Sequence, residues 1–165
     1  MRPRALGFAL LSLVVAVVLQ TTLFVRFRIF TPDLVLLLSI LFAITDMRRE
    51  GVLVMAFTGG LIVDLLSSNL LGLRAAVFSV IAFLAVRTVH RVDIGPVAVA
   101  IWAGLLTLVG VVLFLLLGTL FGQGGLVATD LGRRLVFVPL SNLVVSFAVA
   151  PLLNRLITGR TRGLI

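Results

Sequence analysis

Cysteine is absent from the sequence, which excludes disulfides, thiolate metal sites and thiol nucleophiles. A single histidine, His90, and six acidic residues in 165 leave no histidine cluster that could bind a metal ion. Catalytic motifs are also lacking: the sequence has no glycine-rich phosphate loop, no Ser-His-Asp set and no acidic cluster suited to Mg²⁺. We therefore expect a protein that is not an enzyme and that carries no cofactor.

Charged residues are also scarce, at 12%, whereas 61% of the residues are hydrophobic and the mean hydropathy is +1.31. Soluble domains are about 45–50% apolar, so this composition indicates an integral membrane protein. Each crossing takes about 20 apolar residues, which leaves room for five or six helices and for no soluble module.

The apolar runs predict an all-α membrane protein with six transmembrane helices in a single domain covering residues 1–165. The predicted spans are approximately residues 5–25, 32–46, 51–66, 70–89, 94–121 and 135–157. The first run follows a basic start, as in a secretory signal. It is longer than a signal core and no small-x-small cleavage site follows it, so we interpret it as a retained span.

Arginine supplies all 14 basic residues. They flank the apolar runs, where they act as topology determinants, so we do not expect nucleic-acid binding. Nine lie on the side that holds both termini: Arg2, Arg4, Arg48, Arg49, Arg87, Arg91, Arg155, Arg160 and Arg162. Four lie on the opposite side: Arg26, Arg28, Arg133 and Arg134. The excess predicts that both termini are cytoplasmic.

Asp64 is an ionisable residue inside a predicted span, where it costs several kcal/mol unless it is paired or hydrated. It lies fifteen residues after Arg49, or about 22 Å along a helix, and therefore near the outer face. Arg74, just beyond a polar turn, lies at a similar depth on the next helix. We predict an Asp64–Arg74 ion pair; a backbone or helix-dipole contact, or a donor from a partner chain, are the alternatives.

Small residues precede this aspartate at four-residue spacing. Ala56, Gly60 and Asp64 share one helix face, which permits close approach of another helix. The face is either a packing seam that ends in a polar anchor or a binding site for a ligand or partner. Gln20 and Asn142 are polar residues in other spans, and interhelical hydrogen bonds of about 0.6 kcal/mol each would explain them.

Two connecting segments carry further predictions. Thr31, Pro32 and Asp33 are typical of a helix start, with a capping hydroxyl, a proline at the first helical position and an acid in the first turn. The longest break between spans runs from Gly122 to Arg134. It contains Thr129–Asp130, a second candidate helix cap, and its last two residues are Arg133 and Arg134. It is either a solvated connector or an outer docking site for a partner, since topology does not call for these two arginines there.

Several of these residues occur in an order that resembles the bacterial rod shape-determining MreD family. The matching positions are Gln20, Pro32, Asp33, Leu34, Gly51, Phe57, Gly60, Leu61, Asp64, Leu65 and Gly72. The resemblance covers roughly residues 15–85, and the C-terminal half fits by length and hydropathy.

This resemblance implies a non-enzymatic subunit of the cell-elongation complex in the bacterial cytoplasmic membrane, which supports cell shape and peptidoglycan synthesis. The implied partners are MreC and, indirectly, MreB, RodA and a penicillin-binding transpeptidase, together with membrane lipid. It also implies a fold like the S component of energy-coupling factor transporters.

A solute-binding S component of a vitamin transporter is therefore the alternative function. Ala5 and Ala9 have the four-residue spacing of the alanine motif with which such components dock their transport partner. Against this interpretation, tyrosine is absent and Trp102 is the only tryptophan, so the loops lack the aromatic residues that would enclose a vitamin.

Overall fold

The computed structural model describes residues 3–22, 32–45, 48–67, 70–92, 95–122 and 131–158. These residues form six α-helices and no β-strand, which confirms the predicted all-α fold. The helices are α1 (Pro3–Thr22), α2 (Leu34–Leu41), α3 (Arg49–Leu66), α4 (Leu73–Thr88), α5 (Pro96–Leu120) and α6 (Leu131–Thr158). Short 3₁₀ turns extend α2 through Phe42–Ile44 and α4 through Val89–Arg91.

Three helical segments are long and apolar enough to cross a membrane: Leu73–Arg91, Pro96–Leu120 and Arg134–Leu153. Two shorter apolar helices, Gly7–Thr22 and Leu34–Ile44, accompany them. Large apolar side chains on α1, α5 and α6 point outwards. Together these features agree with a helical membrane protein whose outer surface contacts lipid.

The second helix lies at the centre of the bundle. All eight residues of α2 are buried, as expected for a helix that is apolar on every side. It packs against each of the other five helices. With its 3₁₀ extension α2 has eleven residues, or about 16 Å, so it is shorter than the roughly 30 Å hydrocarbon core of a bilayer.

The predicted start of α2 is wrong by two residues. The helix begins at Leu34, and Asp33 is its N-cap instead of an acid in its first turn. The side chain of Asp33 accepts a hydrogen bond from the backbone N–H of Leu36 at 3.1 Å. A carboxylate accepts a hydrogen bond from this N–H group, and its negative charge interacts favourably with the positive end of the helix dipole. Both effects favour Asp33 as the cap. Pro32 precedes the cap, and Thr31 lies outside the described residues.

The last helix starts earlier than predicted. Because α6 begins at Leu131, Arg133 and Arg134 belong to its first turn and not to the preceding connection. The predicted cap Thr129–Asp130 lies outside the described residues. The connection between α5 and α6 is correspondingly shorter than the predicted break.

Helix α1 lies at the edge of the bundle and buries only a narrow stripe, formed by Ala9, Leu13, Ala16 and Val17. Ala9 is completely buried within the chain. It is therefore not on the surface where an alanine docking motif would have to lie. The side chain of Ala5 is outside the described part of the structure.

Candidate functional site

Asp64 caps the neighbouring helix. It lies in the last turn of α3 and is 1% exposed. Its Oδ2 atom accepts backbone hydrogen bonds from Gly72 at 3.0 Å, Arg74 at 2.9 Å and Ala75 at 3.3 Å. The first N–H groups of a helix have no partner within that helix, so this carboxylate supplies the acceptor that α4 needs.

Gly72 makes this cap possible through its backbone conformation. It precedes α4 with φ of 92°, in the left-handed region that glycine adopts without a steric penalty. The turn brings the N–H groups of residues 72, 74 and 75 towards one carboxylate oxygen. This explains in physical terms why a glycine stands at this position of the turn.

The predicted Asp64–Arg74 ion pair is present only as a long contact. Arg74 Nε lies 4.0 Å from Asp64 Oδ1, which is beyond hydrogen-bonding distance. Neither of these two atoms has a hydrogen-bond partner among the described residues. The closest contacts of Asp64 are instead backbone N–H groups, the alternative that the sequence analysis left open.

The shorter charged contact of Arg74 is with Asp33. Arg74 Nη1 lies 3.4 Å from Asp33 Oδ2, and the two side chains are 19% and 16% exposed. The guanidinium also lies over the ring of Phe114, 5.0 Å from its centroid, a cation–π arrangement. Arg74 therefore contacts charged groups of two helices and an aromatic ring of a third.

Asp33 also connects α1 with the start of α2. Its Oδ1 accepts from Gln20 Nε2 at 3.5 Å and from the N–H of Leu36 at 3.1 Å. Gln20 Oε1 in turn accepts from the N–H of Val35 at 3.4 Å. Two orphan N–H groups at the start of α2 are thus satisfied by one residue from α1 and one from the cap.

Asn142 extends these contacts to the last two helices. It is completely buried, and its Nδ2 donates to the backbone oxygen of Asp33 and to Thr107 Oγ1, both at 3.2 Å. Thr107 Oγ1 donates in turn to the oxygen of Ala103 at 2.8 Å. Each of the six helices thus contributes one member to what we call the polar network: Gln20, Asp33, Asp64, Arg74, Thr107 and Asn142.

The predicted small-residue face packs against α4. Ala56 and Gly60 are both buried. A Cβ atom on Gly60 would lie 2.5 Å from the Cα and 2.7 Å from the N of Ala75. The backbones of α3 and α4 are therefore in direct contact, and this contact brings Asp64 to the first turn of α4.

Some predicted site residues lie away from the polar network, and some members were not predicted. Arg134 precedes Asn142 by eight residues, about 12 Å along α6, and the structure does not bring it to the network. The sequence analysis missed Thr107, a member of the network, and Phe114, the ring under Arg74. Apolar periodicity does not give the register between α5 and the neighbouring helices. A threonine in the middle of a 25-residue apolar helix was the available signal.

The geometry of the network indicates a structural role. Its donors and acceptors are directed mainly at one another and at helix ends. Among the described residues, no three His, Cys, Asp or Glu residues lie together as a metal site would require. The network can hold six helices in one arrangement, and it offers no nucleophile paired with a base.

Comparison with known protein families identifies the family of the chain. The sequence pattern of the family described as rod shape-determining protein MreD matches residues 3–157. No curated protein matches the chain, and no solved structure does, so the expected likeness to S components stays a prediction. The match covers α1 to α6, including the C-terminal half that the individual motifs did not reach. The chain therefore belongs to the MreD family of rod shape-determining proteins.

Proposed function

We propose that this rod shape-determining membrane protein is a non-enzymatic scaffold of the bacterial cell-elongation complex, and that its direct partner is MreC. The observation that carries the proposal is the family match over residues 3–157. Through MreC the chain would act on MreB, RodA and a penicillin-binding transpeptidase, and so support peptidoglycan synthesis during elongation.

The polar network supports a scaffold because most of its polar groups find partners within the chain. The buried exceptions among the described residues are Asp64 Oδ1, Arg74 Nε and Asn142 Oδ1. Burying charged and amide groups is costly unless they are hydrogen-bonded, and these residues find partners on neighbouring helices. The network residues named in the sequence analysis would then support partner binding indirectly, by keeping the outer faces of the helices in place. Recognition would use apolar helix faces in the bilayer.

The exposed faces can be tested one helix at a time. A photocrosslinking amino acid can be placed at an exposed apolar position of α1, α3, α4, α5 or α6: Leu11, Phe57, Val80, Leu105 or Val144. The helix whose position crosslinks to MreC in native membranes carries the interface. A crosslinker at the buried Leu13 of α1 serves as the control that should give no product.

Capture from native membranes tests the proposed function itself. We expect mild-detergent purification of the chain to recover MreC, with RodA or a penicillin-binding transpeptidase at lower yield. Recovery of an ATPase-linked transport partner would contradict the scaffold and favour the S-component function. The burial of Ala9 speaks against that outcome, because it removes one alanine of the docking motif from the surface.

Replacing the arginine pair at the start of α6 tests the proposed outer docking site. We expect Arg133→Ser/Arg134→Ser to reduce recovery of MreC several-fold, because the pair supplies two of the four arginines expected on the outer side. Quantitative mass spectrometry of the captured complex is the measurement. The matched control is Arg48→Ser/Arg49→Ser, which removes the same charge at the other end of the bundle; unchanged recovery with the first variant would reject the docking site.

Single cysteines test the proposed orientation without background, because the chain has none of its own. We expect Arg2→Cys and Arg162→Cys to be protected from an impermeant thiol reagent in intact cells, since both termini are proposed to be cytoplasmic. Gln123→Cys, between α5 and α6, should be labelled under the same conditions. Labelling of either terminus in intact cells would reverse the topology.

A further inference from the structure

Exposed arginines are concentrated at one end of the α3–α4 pair, away from the polar network. Arg48 and Arg49 stand at the start of α3, and Arg87 and Arg91 at the end of α4 and in the turn that follows. All four are exposed. The salt bridges among the described residues involve only Arg74, so these four arginines have no ion pair with a described residue.

The packing of α3 on α4 places these arginines at the same level. Gly60 contacts Ala75, and the two helices are joined by a short turn, so they run in opposite directions. Arg49 lies eleven residues before Gly60, and Val86 lies eleven residues after Ala75. Each is about 16 Å from the contact along its helix. Arg87 is therefore level with the start of α3, across an interhelical distance of about 8–10 Å.

Exposed apolar side chains lie on both helices between the arginines and the Gly60–Ala75 contact. The side chains of Val54, Phe57, Val80 and Phe83 on the two helices are between 45% and 62% exposed. Arg87 lies over the ring of Phe83, with its guanidinium carbon 6.0 Å from the centroid. This contact places Arg87 on the outer side of α4, where lipid lies, and not beyond the end of the helix.

We propose that Arg48, Arg49, Arg87 and Arg91 form a binding site for an anionic phospholipid. The arginines would hold the phosphate headgroup, and the apolar surface below them would hold the acyl chains. A soluble acidic protein could pair with the charges but could not reach an apolar face within the bilayer, and a zwitterionic lipid lacks the net charge. The inference needs neither the proposed partner nor the proposed orientation.

The charge of the described residues at this end favours the same ligand. Glu50 is the one acidic residue among the described positions of the cluster, and it is exposed at the start of α3. Asp46 and Asp93 are close in sequence but lie outside the described residues. Attraction of an anionic lipid is expected to amount to about a fivefold gain in binding for each arginine near the membrane surface.

Val80→Trp would place a fluorescent reporter among the exposed apolar side chains of α3 and α4, since Val80 is 45% exposed. The native Trp102 is 8% exposed and donates a hydrogen bond from Nε1 to Thr88 Oγ1 at 3.0 Å, so it contributes a constant background. The full chain would be reconstituted in phosphatidylcholine vesicles that contain increasing amounts of phosphatidylglycerol brominated on its acyl chains. Bromine quenches a nearby indole, so the fluorescence of the tryptophan added by Val80→Trp measures how much of each lipid occupies the site.

We expect brominated phosphatidylglycerol to quench the tryptophan added by Val80→Trp with an apparent affinity at least fivefold higher than that of brominated phosphatidylcholine in the reciprocal experiment. Arg48→Gln/Arg87→Gln, which removes two of the four arginines, should lower this preference several-fold. Arg133→Gln/Arg134→Gln, which removes the same charge at the other end, should leave it unchanged. High salt should weaken the preference, as it does for exposed charges.

Two outcomes would overturn the proposal: equal quenching by the two lipids when all four arginines are present, or an undiminished preference in Arg48→Gln/Arg87→Gln. A site for an acidic protein would give the first of these results. Arg48→Lys/Arg87→Lys keeps the charge and should keep the preference, so it separates charge from misfolding. Loss of the preference in Arg48→Lys/Arg87→Lys at an unchanged Tm would also contradict the proposal.

Discussion

Gly60→Ala is expected to destabilise the bundle by about 3 kcal/mol, because a single methyl group would enter the contact between two helix backbones. The added Cβ would lie 2.5 Å from the Cα of Ala75 and 2.8 Å from the carbonyl carbon of Arg74. Backbone atoms cannot rotate away, so α3 and α4 would have to separate. That separation would also lengthen the hydrogen bonds between Asp64 and the start of α4.

Thermal unfolding of the purified chain in mild detergent measures this effect. For a chain of this length, a loss of about 3 kcal/mol lowers Tm by about 6–12 °C. Gly118→Ala is the matched control, since Gly118 is also a buried helical glycine and a Cβ there would meet nothing within 4 Å. Gly122 is unsuitable as a control because its φ of 81° would strain any other residue.

A third glycine gives an intermediate case. At Gly59 a Cβ would approach Leu13 Cδ1 at 2.8 Å and Val35 Cγ1 at 2.9 Å, which are ends of side chains. The leucine can change rotamer, so we expect Gly59→Ala to lie between the other two variants. Equal Tm shifts at residues 59, 60 and 118 would show that the α3–α4 backbone contact does not limit stability.

Helix content and the position of Asp64 near the end of α3 could be predicted from the sequence, because both follow from local geometry. An apolar run of sufficient length predicts a span, and a fixed rise per residue places Asp64 near one end of α3. The four-residue spacing of Ala56 and Gly60 likewise predicted a face on which another helix could pack closely. These properties depend on one helix at a time.

The partners of each polar residue could not be predicted in the same way. Arg74 has two carboxylates within reach, and its 3.4 Å contact with Asp33 depends on how α2 sits within the bundle. Asn142 reaches the backbone of Asp33 across 109 positions of sequence. Such contacts are determined by the register and rotation of packed helices, about which the periodicity of a single helix carries no information.

Asp64→Ala is expected to cost about 3–5 kcal/mol, because it removes the acceptor of three N–H groups and a charge close to Arg74. Ala75 N–H, one of the three donors, is buried and would be left without a partner. Asp64→Asn keeps one oxygen that can accept from these donors. Its NH₂ group would face Arg74 Nε, and because both groups are hydrogen-bond donors the contact is unfavourable. We therefore expect its stability to lie between those of the native chain and Asp64→Ala.

The same variants distinguish a structural role from a direct role in partner binding. Thermal unfolding and recovery of MreC would be measured together for Asp64→Asn, Asp64→Ala and the control Ser12→Ala, whose hydroxyl donates to the carbonyl of Ala9 within α1 at 2.8 Å. A structural role requires both quantities to fall in the same order, with Ser12→Ala close to the native chain. If Asp64→Asn lost MreC at native Tm, Asp64 would instead contact the partner; if both aspartate variants were as stable as the native chain, the cap on α4 would contribute nothing.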